Sequence, residues 1–311
     1  MLDHLTPFFA LAAAALVLLP LPYHIKSRNV GTLALSIWLF IGNIDGAINS
    51  MVWWHSTSNK AAFFCELMYI AIPACNLVIA RKLESIASTR QVHATASDQR
   101  RSVIFELMIT VGAPLVYVAF MIVNQTNRFG ILEEAGCWPF LKLSWAWVVL
   151  VAAPVIVVSS ISVIYSVLAF RWFWIRRRQF QAVLASSAST INQSRYVRLL
   201  ALTAVDILLF FPIYLGTTAA EIRSAIVKPY GSWSQVHEDF GIIPEYPAVL
   251  IEAQGLGPSI IISKIVCPVS GVICFVLFGL GQEARQGYKA TVLRALIALK
   301  LRKPPKRPTP E

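Results

Sequence analysis

Eight ionisable or amide side chains stand inside long apolar stretches of this chain: Asn43, Asp45, Asn49, Glu66, Asn76, Glu106, Asp206 and Lys264. In hydrocarbon such groups are costly, so they face one another, a wet cavity or a ligand. Asp45 lies nine residues from Trp54, and Lys264 nine from Gly255. A helical rise of 1.5 Å puts both about 13 Å inside their stretches. At matching depth they can form an ion pair. A lysine so placed can also carry a retinal Schiff base, with Asp45 as counter-ion. Glu66 sits higher, about 8 Å below Ala61 by the same rise. Asp45, Asn49, Glu66 and Lys264 are the candidate ligand-facing groups. The competing reading is that these residues pair only to fix helix packing. That reading is preferred for Glu106 and Asp206, and Asn43 and Asn49 also suit hydrogen bonds between helices.

The chain has five cysteines. Cys75, Cys267 and Cys274 fall within apolar stretches, where a thiol acts as a small apolar group. Cys65, near the outer end of the third stretch, and Cys137, in a connecting loop, share the oxidising side in the topology below. They read as a disulfide, with two free thiols as the alternative. No cysteine–histidine spacing suggests zinc, and neither a cofactor nor an enzyme is expected.

The elements that carry these residues follow from composition. Of the 311 residues 57% are hydrophobic and 14% charged, against roughly 45–50% and 25% in soluble domains. A bilayer can hide that apolar surface; one aqueous core cannot. Seven runs are long enough to cross: about 6–23, 30–54, 61–80, 102–123, 144–170, 197–220 and 255–280. The expected fold is an all-α membrane protein, a seven-helix bundle over residues 1–281. A basic tail, 282–311, reads as disordered. The first run reads as a span rather than a signal peptide, since its leading residues lack a basic region and it stops at Lys26 and Arg28. Pro73, Pro114, Pro154, Pro212 and Pro268 place one proline in each of spans three to seven. Each is a kink or simple packing shape, and Pro212 is a possible hinge for span six.

Net charge is +11. With the N-terminus outside, 21 of the 27 lysines and arginines fall on the cytoplasmic side and five in outer loops. That is the positive-inside pattern, with the tail inside, and not a nucleic-acid footprint. Arg81 and Lys82 close the inner end of span three, and Arg195 and Arg198 open span six. They are candidates for contact with a G protein, or they merely obey the charge rule. Asn124–Gln125–Thr126 is a glycosylation sequon on the outer side.

Three functional classes suit such a bundle: receptor, retinal photoprotein and small-solute transporter. A transporter commonly shows internal repeats, and none is found. Microbial photoproteins usually place an Asp four residues before the retinal lysine, where this chain has Ile260. The receptor reading rests on motifs. Leu21–Pro22–Tyr23–His24 with Arg28–Asn29–Val30, Trp38, Asn43, Trp53–Trp54, Cys65 and the stretch from Arg81 to Ser88 resemble the fungal a-factor-type pheromone receptors. So do the loop from Asn124 to Cys137, the stretch from Arg195 to Leu202, and Phe278–Gly279–Leu280–Gly281–Gln282–Glu283–Ala284. The Asp-Arg-Tyr and Asn-Pro-x-x-Tyr signatures of rhodopsin-like receptors are missing, as in that fungal class. The resemblance implies a plasma-membrane receptor for a short farnesylated, carboxymethylated peptide. It implies coupling to a heterotrimeric G protein and a mating MAP-kinase cascade, with membrane lipid as its other partner.

Overall fold

A computed structural model describes residues 5–26, 29–58, 71–88, 95–176, 178, 193–224, 227–253, 257–281, 284–289, 293 and 297. Among the described residues six helices are long and apolar enough to cross a membrane. The chain begins with α1 (Thr6–Leu18), which turns at Leu19–Pro20 into the short α2 (Leu21–Lys26). Then come α3 (Val30–Val52), α4 (Ala71–Ala87), α5 (Ala96–Asn124), α6 (Trp145–Arg176) and α7 (Gln193–Arg223). After the one-turn α8 (Trp233–Val236) and α9 (Ala248–Ala253), α10 runs from Gly257–Cys274 into a terminal turn, Phe275–Gly279. The first half of the third expected span, with Cys65 and Glu66, lies outside the described residues.

α4 is the buried axis. Ala74, Cys75, Val78, Ile79, Leu83 and Ile86 are all at most 2% exposed. Of these, Cys75, Ile79, Leu83 and Ile86 pack with Leu35 and Leu39 of α3, Ala169 of α6, Tyr196 and Leu199 of α7, and Phe278 of α10. The other helices turn large apolar side chains outward, including Phe8, Met108, Ile164 and Leu208. That inverted pattern suits a lipid surround, whose tails are as apolar as leucine.

Three of the five prolines act through one repeated device. In α5, α6 and α7 a π turn, Met108–Gly112, Val148–Ala152 or Asp206–Phe210, ends two residues before Pro114, Pro154 or Pro212. In each, the residue before the proline donates its N–H to the carbonyl five residues back: Ala113 to Met108, Ala153 to Val148, Phe211 to Asp206. A proline ring crowds the carbonyl four residues earlier and brings no N–H of its own. Widening the preceding turn removes the crowding and keeps the chain helical. At Pro114 the freed carbonyl is that of Thr110, and the Trp38 indole of α3 donates to it at 2.8 Å. A neighbouring helix thus satisfies a polar group that hydrocarbon would leave bare.

Three departures from the sequence reading have physical reasons. First, the connections of the helical bundle carry a small sheet that was not expected. β1 (Gln125–Leu132) and β2 (Gly136–Leu141) form an antiparallel hairpin, and β3 (Glu245–Tyr246) pairs parallel to β1. The turn is made by Glu134 and Gly136, both at positive φ. A Cβ on Gly136 would lie 2.7 Å from the Cβ of Asn49, so glycine is required there twice over. Second, α5 starts at Ala96, not near 102. Thr95 and Asp98 form a capping box, with Asp98 N donating to Thr95 Oγ1 at 3.3 Å and Thr95 N to Asp98 Oδ2 at 3.0 Å. Third, residues 284–289 are helical, where disorder was expected from Gln282 onward. Ala284 is buried and Tyr288 meets Tyr23 edge-on at 6.1 Å.

Candidate functional sites

At the hairpin end of the bundle, α3 anchors the sheet. Asn49, 7% exposed, accepts the Cys137 N–H on Oδ1 at 3.0 Å and donates from Nδ2 to Asp45 O at 3.0 Å. Trp53 O accepts from Glu134 N at 3.0 Å, and the Trp53 ring is fully buried with Phe129 and Ile131. Glu133 Oε2 takes the Ala248 N–H at 2.8 Å. The hairpin is therefore a lid fastened to α3 on one side and to the α7–α10 loop on the other. Of the Asn49 amide, a candidate ligand group, the oxygen fastens the hairpin and the nitrogen is held by the Asp45 carbonyl of its own helix. Cys137 is disulfide-bonded, and Cys75, Cys267 and Cys274 are free. The sequon residue Asn124 is fully buried and donates to Phe120 O at 3.1 Å, so the folded chain does not present it for glycosylation.

Midway down, two polar contacts join helices. Asn43 Nδ2 of α3 donates to Leu39 O at 2.7 Å and across to Cys267 O of α10 at 3.3 Å. Asp45 is two residues, and Lys264 three, toward the hairpin end from these partners. At 1.5 Å per residue, that is about 3 and 4.5 Å, so both stand at one level of one helix–helix seam. The second contact is centred on Asp206, the first residue of the α7 π turn. Its Oδ1 accepts from Asn76 Nδ2 of α4 at 2.7 Å, and its Oδ2 from Ser162 Oγ of α6 at 3.3 Å. One carboxylate thereby ties three helices, which is the packing role the sequence favoured for it.

At the opposite, basic end, the candidate cations reach into the protein. Lys82 Nζ is 3.7 Å from Glu106 Oε2 of α5, a nearly buried carboxylate that also accepts from Ser102 at 3.1 Å. Arg81 lies over the Phe105 ring at 4.5 Å. Arg195 is buried, with Nη2 3.5 Å from His24 Nδ1 of α2. Arg198 Nη1 donates to Leu277 O of α10 at 3.4 Å. Sequence reasoning missed Tyr196, which is fully buried, stacks on Phe173 and donates to Leu83 O of α4 at 3.3 Å. It also missed Arg176, whose Nη1 donates to Ala87 O at 3.0 Å. One turn of α7 thus reaches α2, α4 and α10 through Arg195, Tyr196 and Arg198.

A helical bundle with a fastened hairpin at one end and a cross-tied basic end at the other does not by itself assign a function. The family model described as "Pheromone A receptor" matches residues 5–298. The chain belongs to the pheromone A receptor family. This receptor is 61% identical over 316 residues to "Pheromone receptor 1" of Ustilago hordei, covering 99% of this chain and 88% of that one. It is 62% identical to "Pheromone receptor 1" of Mycosarcoma maydis, covering 98% of this chain and 88% of the relative. Against "Pheromone B alpha 3 receptor" of Schizophyllum commune the identity is 33%, over 96% of this chain and 49% of the longer relative. It is a fungal-type, multi-pass membrane receptor and not an enzyme.

Proposed function

We propose that this receptor sits in the plasma membrane, binds a farnesylated peptide mating pheromone, and drives a heterotrimeric G protein and a mating MAP-kinase cascade. The family match over residues 5–298 carries the reading. In it the bundle has seven spans, with the lid outside and the basic end in the cytoplasm, as the lysine and arginine distribution favours. The ligand-facing groups are Asp45, Glu66 and Lys264, with Asn49 acting through the lid it fastens. The cytoplasmic cations Arg81, Lys82, Arg195 and Arg198 meet the G protein once the basic end opens. In this reading the partner of the disulfide-bonded Cys137 is Cys65, because both cysteines fall on the oxidising side of the topology. That bridge links the lid to the third span.

The test is expression in a pheromone-pathway reporter yeast, challenged with a panel of farnesylated peptides and the same peptides without the lipid. A response to at least one lipidated peptide, lost without the lipid, is expected. Equal responses to both forms would remove the farnesyl requirement. Silence to the whole panel at verified surface expression would overturn the ligand class. An epitope at the C-terminus should be stained only after permeabilisation, and staining of intact cells would reverse the topology.

A further inference from the structure

A pocket at the basic end gathers cations. It is lined by Tyr23 and His24 of α2, Arg195 and Arg198 of α7, Phe278 at the end of α10, and Ala284 of the helical turn that follows. It encloses about 250 Å³ of empty space, counted to its open mouth. Arg195 is buried, while Arg198 and Tyr23 are half-buried. Three residues apart, the two arginines share one face of α7. His24, edge-on to Phe278 at 5.1 Å, backs Arg195 with Nδ1 3.5 Å from its Nη2. Among the described residues no carboxylate lines the pocket.

Donors in the pocket outnumber their protein acceptors. Arg198 spends Nε on Ser194 O at 3.2 Å and Nη1 on Leu277 O at 3.4 Å. A guanidinium carries five N–H groups, so three remain. The Tyr23 hydroxyl has no hydrogen-bond partner among the described residues. Beside it, the Tyr288 hydroxyl is also buried without one. Two glycines seat these donors. A Cβ on Gly281 would strike the Arg198 guanidinium, and one on Gly287 the Tyr23 hydroxyl. Both groups therefore lie on bare backbone instead of reaching out to water.

Two features of the surroundings say what such a pocket takes. Arg195 is the third residue of α7, so the positive pole of that helix adds to the arginines. The negative pole of α10 is offset by Arg198 on Leu277 O. Ile25, Val197 and Leu280, close in sequence to the lining residues, turn outward and are exposed. Apolar side chains exposed at the ends of spans face lipid, so the pocket stands at the edge of the hydrocarbon. That is the level of lipid headgroup phosphates, and basic pockets between spans are suited to them.

We infer that this pocket binds the phosphomonoester head of an anionic membrane lipid. A monoester carries close to two negative charges at neutral pH and three acceptor oxygens, which match two arginines and the Tyr23 hydroxyl. Guanidinium pairs with phosphate through parallel N–H bonds, so Arg198 can meet it with the donors it has left. A phosphodiester head has one charge on its phosphate and fewer free oxygens. The bound phosphate bridges α2, α7 and the turn after α10, and so stabilises the cross-tied form of the basic end. The inference does not use the identity of the pheromone. It places the lipid in the inner leaflet only through the topology proposed above.

The test is thermal unfolding of the whole receptor in detergent micelles, with neither G protein nor pheromone. It is titrated with phosphatidic acid, with phosphatidylserine at equal total charge, and with inorganic phosphate. Phosphatidic acid should raise the midpoint with an apparent affinity about tenfold or more above phosphatidylserine, a difference of one good hydrogen bond to a charged group. Inorganic phosphate should act only at far higher concentration. Arg198→Gln should abolish the gain. Tyr23→Phe, which removes only a hydroxyl, should weaken the lipid about tenfold by the same measure. Should the Arg198 variant fail to fold, the Tyr23 variant decides alone. No shift with phosphatidic acid, equal affinity for phosphatidylserine, or a gain undiminished in Tyr23→Phe would each overturn the site. Inorganic phosphate acting as strongly as the lipid would overturn the lipid as occupant and assign the pocket to a soluble phosphate. Since no signalling partner is present, each of these failures leaves the pheromone reading standing.

Discussion

Single residues set the limits of what ligand and lid can do. Asp45 and Lys264 share one level of the α3–α10 seam, whose contact is fixed by Asn43 donating to Cys267 O at 3.3 Å. An uncompensated charge at that depth is costly, so the two should be coupled. Asp45→Asn and Lys264→Gln singly should each raise basal signalling or lower surface expression. The double variant should cost less than the sum, by an interaction energy of about 0.5 kcal/mol or more if the two are coupled. Strict additivity in both readouts would dissolve the pair. The sequence made this level legible because depth follows from residue count alone. It did not reveal that Asn49 would be spent on the lid. That outcome depends on a turn of Glu134 and Gly136 folding back by long-range contact, and periodicity is silent on it. Cys137 was legible as a bridged cysteine because sidedness, a charge property, is written in the loops.

At the scale of elements, six of the seven expected spans are long apolar helices in the structure, because hydrophobic run length is a property of sequence. Boundaries slipped where a polar cap outvoted hydropathy, as Thr95 and Asp98 did for α5. The prolines were legible as kinks, but the form of the kink was not. A π turn with its freed carbonyl served from another helix needs the neighbour's position. That gives a testable pairing. Trp38→Phe keeps the ring and removes the donor to Thr110 O. It should cost about 1–3 kcal/mol by leaving a buried carbonyl bare. Pro114→Ala restores an N–H that can reach that carbonyl within α5. The cost of Trp38→Phe should therefore shrink by about 1 kcal/mol or more in the Pro114→Ala background. Thermal unfolding of the purified receptor with all four chains measures the cycle. An unchanged cost would mean that the indole bond and the proline are unrelated.

For the molecule as a whole, the two ends are held by different chemistry. The hairpin end is held by backbone pairing and by Tyr230 and His237 at the last turn of α5. The basic end is closed by side chains of α7 reaching three other helices. Cations picked from sequence as a docking surface turn inward here, because a guanidinium near hydrocarbon gains more from carbonyls and rings than from facing lipid. Arg198 at Leu277 O also sits at the C-terminal pole of α10, where a cation is favoured. If signalling requires this end to open, then weakening one tie without touching the cations should shift the balance toward the open form. Tyr196→Phe does that, since it removes only the hydroxyl that donates to Leu83 O and keeps the ring stacked on Phe173. A neutral buried bond contributes about 0.5–1.5 kcal/mol, so the closed-to-open ratio should fall by roughly 2- to 12-fold. Basal reporter activity, normalised to surface receptor, should rise by up to that factor while the response to agonist persists. Unchanged basal activity at equal surface level would show that the Tyr196 bond is present in both forms. The closing of the basic end would then rest on its other ties, those of Arg195, Arg198 and Arg176 among them.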